Sequence, residues 1–260
     1  KEEAGKWLMQ IVDDAYEKIR MTQKRTAEEE AEVNREERLR QLKVPVRTDG
    51  EEYTLDMLNG DQEKIMYNCL SSLREWMGKN TPKKLHMTVI GRGGTGKSTL
   101  INALVATLRQ MFQCEDCVLV CAPTGSAAFN TGGMTIQRQF HIGMFTPDGN
   151  VLKGEKRKDM LQMLSRCTAL IIDERSMVSA ELLGTVEDYC RQAARGGHHS
   201  TDNWGGIPLV LLVGDDYQLP PPCDKGAFYC FERANTSSSK YIKANLAKKG
   251  LEVFQKMGKQ

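Results

Sequence analysis

The sequence predicts an α/β fold, a parallel sheet flanked by helices, on three observations. Short apolar runs alternate with amphipathic stretches from Leu58 to Val213, as strands buried on both faces alternate with crossover helices. One run passes through a glycine-rich loop straight into a helix, and another ends in two adjacent acids. Strand ends of this kind are where open α/β sheets gather their chemistry.

The elements follow in order. Residues 1–43 are dense in Lys, Arg and Glu, with Trp7, Leu8, Ile11, Val12 and Ile19 at helical spacing. That pattern predicts a mostly solvated helical segment over residues 1–45, a spacer or packing arm, with a partner-binding helix as the alternative. Pro45 ends it. Helices are expected at Ile65–Trp76, Lys97–Phe112 and Ala180–Ala194, and strands at Leu85–Ile90, Val118–Ala122, Thr168–Ile172 and Pro208–Val213. His141 to Lys158 is polar and Gly/Lys-rich and reads as a surface excursion. After Gly226 the alternation stops. The division is therefore a charged N-terminal segment (1–45), an α/β domain (46–226) and a basic remainder (227–260).

Composition bounds the class. With 40% hydrophobic residues in 260, the chain can bury a real core, which excludes global disorder. A net charge of +2 neither demands nor excludes nucleic acid. No run approaches the ~18 apolar residues of a membrane helix, so no membrane partner is expected. The start, KEEAGKW, lacks a secretory signal region and an initiator Met, which suggests a cut chain. The eight cysteines read as reduced, mostly buried thiols of an intracellular protein. A zinc site is the alternative, but no second CxxC or close His pair completes the Cys114, Cys117 and Cys121 group.

The loop after the run LHMTVI is GRGGTGKST, Gly91 to Thr99, and it opens the helix LINALVATLRQMF. This is GxxxxGK[ST] in its strand–loop–helix setting, the phosphate-cradling P-loop. Gly91, Gly93, Gly94, Thr95 and Gly96 permit a tight loop whose N–H groups face phosphate oxygens. The helix N-terminus, with Thr99 in its first turn, adds positive potential. Lys97 can reach the β- and γ-phosphates and Ser98 can ligate Mg²⁺. A ligand-free glycine turn is the alternative. The run TALIIDE ends at Asp173 and Glu174. Asp173 can hold Mg²⁺, and Glu174 can act as general base toward water. In isolation, such a pair could equally stabilise a helix N-terminus.

Three further segments set the class: CAPTGSAAFNTGGMTIQRQF (Cys121 to Phe140), DERSMVSAELL (Asp173 to Leu183) and WGGIPLVLLVGDDYQLPPP (Trp204 to Pro222). With the P-loop, they resemble the Pif (petite integration frequency) family of superfamily 1 DNA helicases, which move 5′→3′ on single strands. The PTGxAA…GGxTIH pattern falls on Pro123, Thr124, Gly125, Ala127, Ala128, Gly132, Gly133, Thr135 and Ile136. DExSM falls on Asp173, Glu174, Ser176 and Met177. GGIxL…GDxxQLPP falls on Gly205, Gly206, Ile207, Gly214, Asp215, Gln218, Leu219, Pro220 and Pro221. LNGDQEKI resembles the adenine-reading Q element, with Gln62 as its glutamine. Domains fused to Helitron replication proteins are similar. Gln137, Arg175 and Asp216-Tyr217 depart from the pattern, standing where His, a small apolar residue and two aromatics are usual.

The resemblance implies a RecA-like motor domain using ATP and Mg²⁺ on single-stranded DNA, resident in the nucleus or mitochondrion. It implies catalytic roles for Lys97, Asp173, Glu174 and Gln218, the last sensing the γ-phosphate. It implies DNA contacts at Pro123, Thr124, Gly125, Thr135, Gln137 and Phe140, with Phe140 or Phe129 able to stack on a base. For each aromatic taken alone, core packing is the preferred reading. A second RecA-like domain, bearing an arginine finger, belongs to the family's motor and does not fit in the remaining residues. A weakly active fragment is therefore expected. The alternative is a nucleotide-dependent DNA- or partner-binding module without turnover.

Overall fold

The computed structural model describes residues 52–78, 84–143, 151–194, 202–221 and 238–259. The charged segment 1–45 lies outside these residues. The described elements are α1 (Gly60–Gly78), β1 (Leu85–Ile90), α2 (Lys97–Phe112), β2 (Val118–Ala122), α3 (Gly125–Asn130) and β3 (Met134–Thr135). They continue with α4 (Ile136–Gln139), α5 (Gly154–Arg166), β4 (Ala169–Ile172), α6 (Ala180–Gln192), β5 (Leu209–Gly214), α7 (Ser238–Gln255) and β6 (Gly258–Lys259).

The strands form one sheet in the order β3-β2-β4-β5-β1-β6. Pairings β2–β3, β4–β5 and β1–β6 are parallel. Every residue of β2, β4 and β5 is buried, which is why these strands read as unbroken apolar runs rather than alternating ones. In β4–β5, Ala169 faces Leu209 and Ile172 faces Leu212, so both strands start together and β5 runs on to Gly214.

The chain divides into two compact units. The first takes residues up to Leu85 together with Ser98–Val118. Its helix α1 starts five residues before the apolar periodicity does. The cause is a reciprocal cap: Asn59 Oδ1 accepts from Gln62 N–H at 3.0 Å, and Gln62 Oε1 accepts from Asn59 N–H at 2.9 Å. Helix α2 buries an unbroken stretch from Leu100 to Leu108. Apolar on every side, it behaves as a core helix.

The second unit takes His86–Lys97 and Leu119–Gln260. Its core joins Leu170, Ile172, Val210 and Leu212 of the sheet to Met160 and Leu164 of α5, Leu183 and Val186 of α6 and Val253 of α7. The stretch expected to be a surface excursion, His141 to Lys158, is mostly exposed over its described residues and ends in the first turn of α5. One sequence reading needs correction here. Residues 238–259 are a helix and a strand that joins β1, with Met87 beside Gly258. Their Lys-rich surface hid the apolar stripe of Val253 and Met257.

Helices α6 and α7 cross at two glycines. A Cβ on Gly184 would lie 1.9 Å from the Leu246 carbonyl oxygen, and one on Gly250 would lie 2.1 Å from that of Ala180. Lys249 reaches across the crossing to Glu187 at 3.0 Å and Asp188 at 2.6 Å. The obstacle at Gly184 is backbone, which cannot swing away. Gly184→Ala should therefore destabilise the protein by about 2 kcal/mol, despite a gain of ~1 kcal/mol in helix propensity. Urea unfolding of both forms measures this.

Candidate nucleotide-binding site

Strand β1 hands the chain to the glycine loop, and two contacts hold that loop against the end of β5. Gly91 N–H donates to the Gly214 carbonyl at 3.1 Å, and Gly93 N–H donates to Asp215 Oδ2 at 2.9 Å. Gly94 and Gly96 adopt φ of +76° and +81°, a region that side-chain-bearing residues rarely occupy. A Cβ on Gly91 would stand 2.6 Å from Thr95 Oγ1. The loop is thus a cradle built from absent side chains. Lys97 folds over it, Nζ donating to the carbonyls of Gly91 at 2.8 Å and Arg92 at 3.0 Å. Ser98 and Thr99 form the first turn of α2.

Asp173 and Glu174 follow β4. Asp173 N–H donates to the Cys121 carbonyl at 2.9 Å, which holds the end of β4 to β2. The Asp173 side chain is buried and accepts from Glu174 N–H at 2.8 Å. Burial raises its pKa to about 6, and the neighbouring Glu174 charge adds to the rise. The Glu174 N–H and the Lys97 ammonium pull the other way. Lys97 and Asp173 therefore share one electrostatic environment. Glu174 itself sits in the left-handed region, φ 51° and ψ 47°, where a residue with a Cβ is strained by ~1–2 kcal/mol.

Gln218 completes the group. Its Nε2 would lie 3.8 Å from a Cβ on Gly93, so the side chain lies against the cradle. Asp215 organises this approach. Its Oδ1 accepts from Tyr217 N–H at 3.0 Å, and its carbonyl accepts from Gln218 N–H at 3.2 Å. The motif match contained Asp215 but gave it no role. A buried acid beside a glycine loop was the signal that could have assigned one.

A metal-bound triphosphate fits these residues. The loop leaves room for phosphate against backbone, Lys97 holds a flexible cation over it, and Asp173 is a buried carboxylate whose charge lacks full compensation.

The residues expected at DNA fare differently. Thr124 and Thr135 cap helices, accepting from Ala127 N–H and Arg138 N–H respectively, each at 3.3 Å. Gly125 and Gln137 are exposed, and Pro123 is half-buried. Phe140 needs correction: it is fully buried in the core with Leu152 and Met160 and has no face to offer a base. Phe129 is 85% exposed. Gly133 must be glycine, because a Cβ there would strike the Val120 carbonyl at 2.3 Å. Gln62 spends its side-chain carbonyl on the α1 cap.

Burial of Asp173 has a consequence for stability. Its folded pKa, about 6, lies above the ordinary 3.8, so the folded state holds an extra proton between roughly pH 4 and 6. Its contribution is fully present below pH 4 and lost as pH rises through 6. The loss amounts to about 3 kcal/mol. Asp173→Asn should therefore stabilise the nucleotide-free protein by about 1–3 kcal/mol at pH 8, a gain absent below pH 4. Denaturant unfolding across that pH range reads the difference.

Comparison with known proteins places the chain in a family. ATP-dependent DNA helicase RRM3 of Saccharomyces cerevisiae is 36% identical over 156 residues, 58% of this chain and 21% of that protein. ATP-dependent DNA helicase PIF1 of the same species is 34% identical over 178 residues, 68% of this chain and 20% of the relative. The chain thus spans about a fifth of the length of these relatives. A crystal structure of the Pif1 helicase from Candida albicans superposes with a TM-score of 0.51 at 28% identity, over 66% of this chain and 36% of that one. The family model for PIF1-like helicases matches residues 57–254, from the turn before α1 to the end of α7, and the chain belongs to that family.

Proposed function

We propose that this chain is the first RecA-like motor domain of a 5′→3′ DNA helicase, coupling Mg-ATP hydrolysis to movement on single-stranded DNA. The observation that carries the reading is the convergence of Lys97, Asp173 and Gln218 on one glycine cradle at the ends of parallel strands. The family supports it, and so do the names of the relatives, which are ATP-dependent DNA helicases.

In this reading the amides of Gly91 to Gly96 cradle the phosphates and Lys97 bonds the β- and γ-phosphates. Ser98 and Asp173 would hold Mg²⁺, which when bound would neutralise charge on the phosphates. Glu174 takes the proton of the attacking water, and Gln218 orients that water or bonds the γ-phosphate. Gln62, in the Q element, reads adenine. Pro123, Thr124, Gly125, Thr135 and Gln137 contact single-stranded DNA. A second RecA-like domain supplies the arginine finger in the longer protein. Without that finger, worth ~10³–10⁵ in rate, these residues bind nucleotide but turn it over slowly. The longer protein works in the nucleus or mitochondrion.

Two variants and one titration test this. Lys97→Ala should lose nucleotide binding with an unchanged nucleotide-free melting temperature, and Glu174→Gln should bind ATP without hydrolysing it. Single-stranded DNA added to the full-length protein should raise its ATPase rate. No stimulation would instead indicate a nucleotide-dependent binding module. Phe129→Ala removes an exposed ring and should weaken single-stranded DNA binding by ~1–3 kcal/mol without loss of stability.

A further inference from the structure

Two of the positions that depart from the motif pattern meet in space. Arg175, directly after Glu174, is only 1% exposed, yet it carries a guanidinium. Its Nη2 donates to Asp216 Oδ1. Asp216 stands two residues before Gln218 and directly after Asp215, whose side chain holds Gly93 N–H. Arg175 is built closely into this place. Its Cγ and backbone N would lie 2.8 Å from a Cβ on Gly214, so that glycine makes its room. On the other side, its guanidinium carbon lies 5.6 Å from the centre of the Phe254 ring of α7. A planar fork of donors, half-enclosed by backbone and capped by an aromatic ring, has few orientations left.

We propose that the Arg175–Asp216 ion pair is a positioning device that holds the Gln218 loop in register with Glu174, so that hydrolysis rather than nucleotide binding depends on it. The chemistry follows from connectivity. Glu174 and Arg175 are adjacent in the chain, as are Asp215 and Asp216, so the pair ties the loop bearing the water-orienting amide to the strand end bearing the base. Phe254 fixes the guanidinium from α7, which lets the C-terminal helix influence that distance. Each charge spends itself on the other, and Asp215 rather than Asp216 bonds the glycine loop, so both residues would act through Glu174 and Gln218. The inference rests on the ATPase reading above.

The test uses the full-length protein and three readouts: kcat for ATP, affinity for a fluorescent ATP analogue, and melting temperature. Asp216→Ala should lower kcat about 10- to 100-fold, the penalty of misplacing reacting groups by roughly 1 Å, with nucleotide affinity nearly unchanged. Arg175→Val should do the same. The double variant Arg175→Val/Asp216→Phe removes both charges together and restores an apolar pair, and it should recover turnover that neither single change permits. Asp216→Glu keeps the charge and should retain more activity than Asp216→Ala. If a single variant proves unstable, the double variant still decides, because packing no longer leaves an unpaired charge. Unchanged kcat in folded single variants, or a double variant no better than the singles, overturns the positioning role. An inactive wild-type protein defeats the ATPase reading itself, and the positioning role with it.

Discussion

The two hydrogen bonds that fasten the glycine loop to the end of β5 are the contacts on which the site depends. Gly91 N–H on Gly214 and Gly93 N–H on Asp215 fix where the loop turns relative to the strand that carries Gln218. The parallel sheet makes this possible, since β1, β4 and β5 all deliver their following residues to the same edge. Asp173 N–H on Cys121 adds β2 to the same arrangement. Side chains separated by more than a hundred residues are thereby placed without any long loop having to fold precisely.

This convergence costs stability. Asp173 is buried against its preference for water, and Glu174 is held in a left-handed conformation. The compensating terms lie elsewhere in the second unit. Fully buried β4 and β5 stack on α5, α6 and α7, and the glycine-mediated crossing lets α6 and α7 approach backbone to backbone. The ion pairs from Lys249 to Glu187 and Asp188 span the same crossing. A strained site on a densely packed scaffold keeps its reactive groups in place before any ligand arrives.

Several motif residues carry a structural duty in addition to any contact with ligand. Thr124 and Thr135 cap helices, Gln62 caps α1, and Gly133 lets β3 lie beside β2. A substitution at these positions therefore changes local folding, whatever it does to binding. Phe129, by contrast, is exposed with no packing role of its own, so its removal reports on an intermolecular contact alone.

Much of this was legible in the chain itself. The bounds of β1, α2 and β2 match the expected ones residue for residue; for β2 and the middle of α2 the reason is burial all round, which leaves a nearly uninterrupted apolar signal in the sequence. The positions of the glycine loop and the two acids were readable too, each directly after an apolar run that proves to be a strand. What only tertiary structure decided were partnerships between distant residues. Asp216 reads as a solvated loop acid until Arg175 is seen against it, and α7 reads as a basic tail until its apolar stripe meets the core. Phe140 and Phe129 look alike in sequence, yet one is buried and the other exposed, because burial depends on what the rest of the chain brings near. Local pattern encodes an element's own backbone needs, whereas the energy of a buried charge or ring belongs to the contact and exists only once both partners are in place.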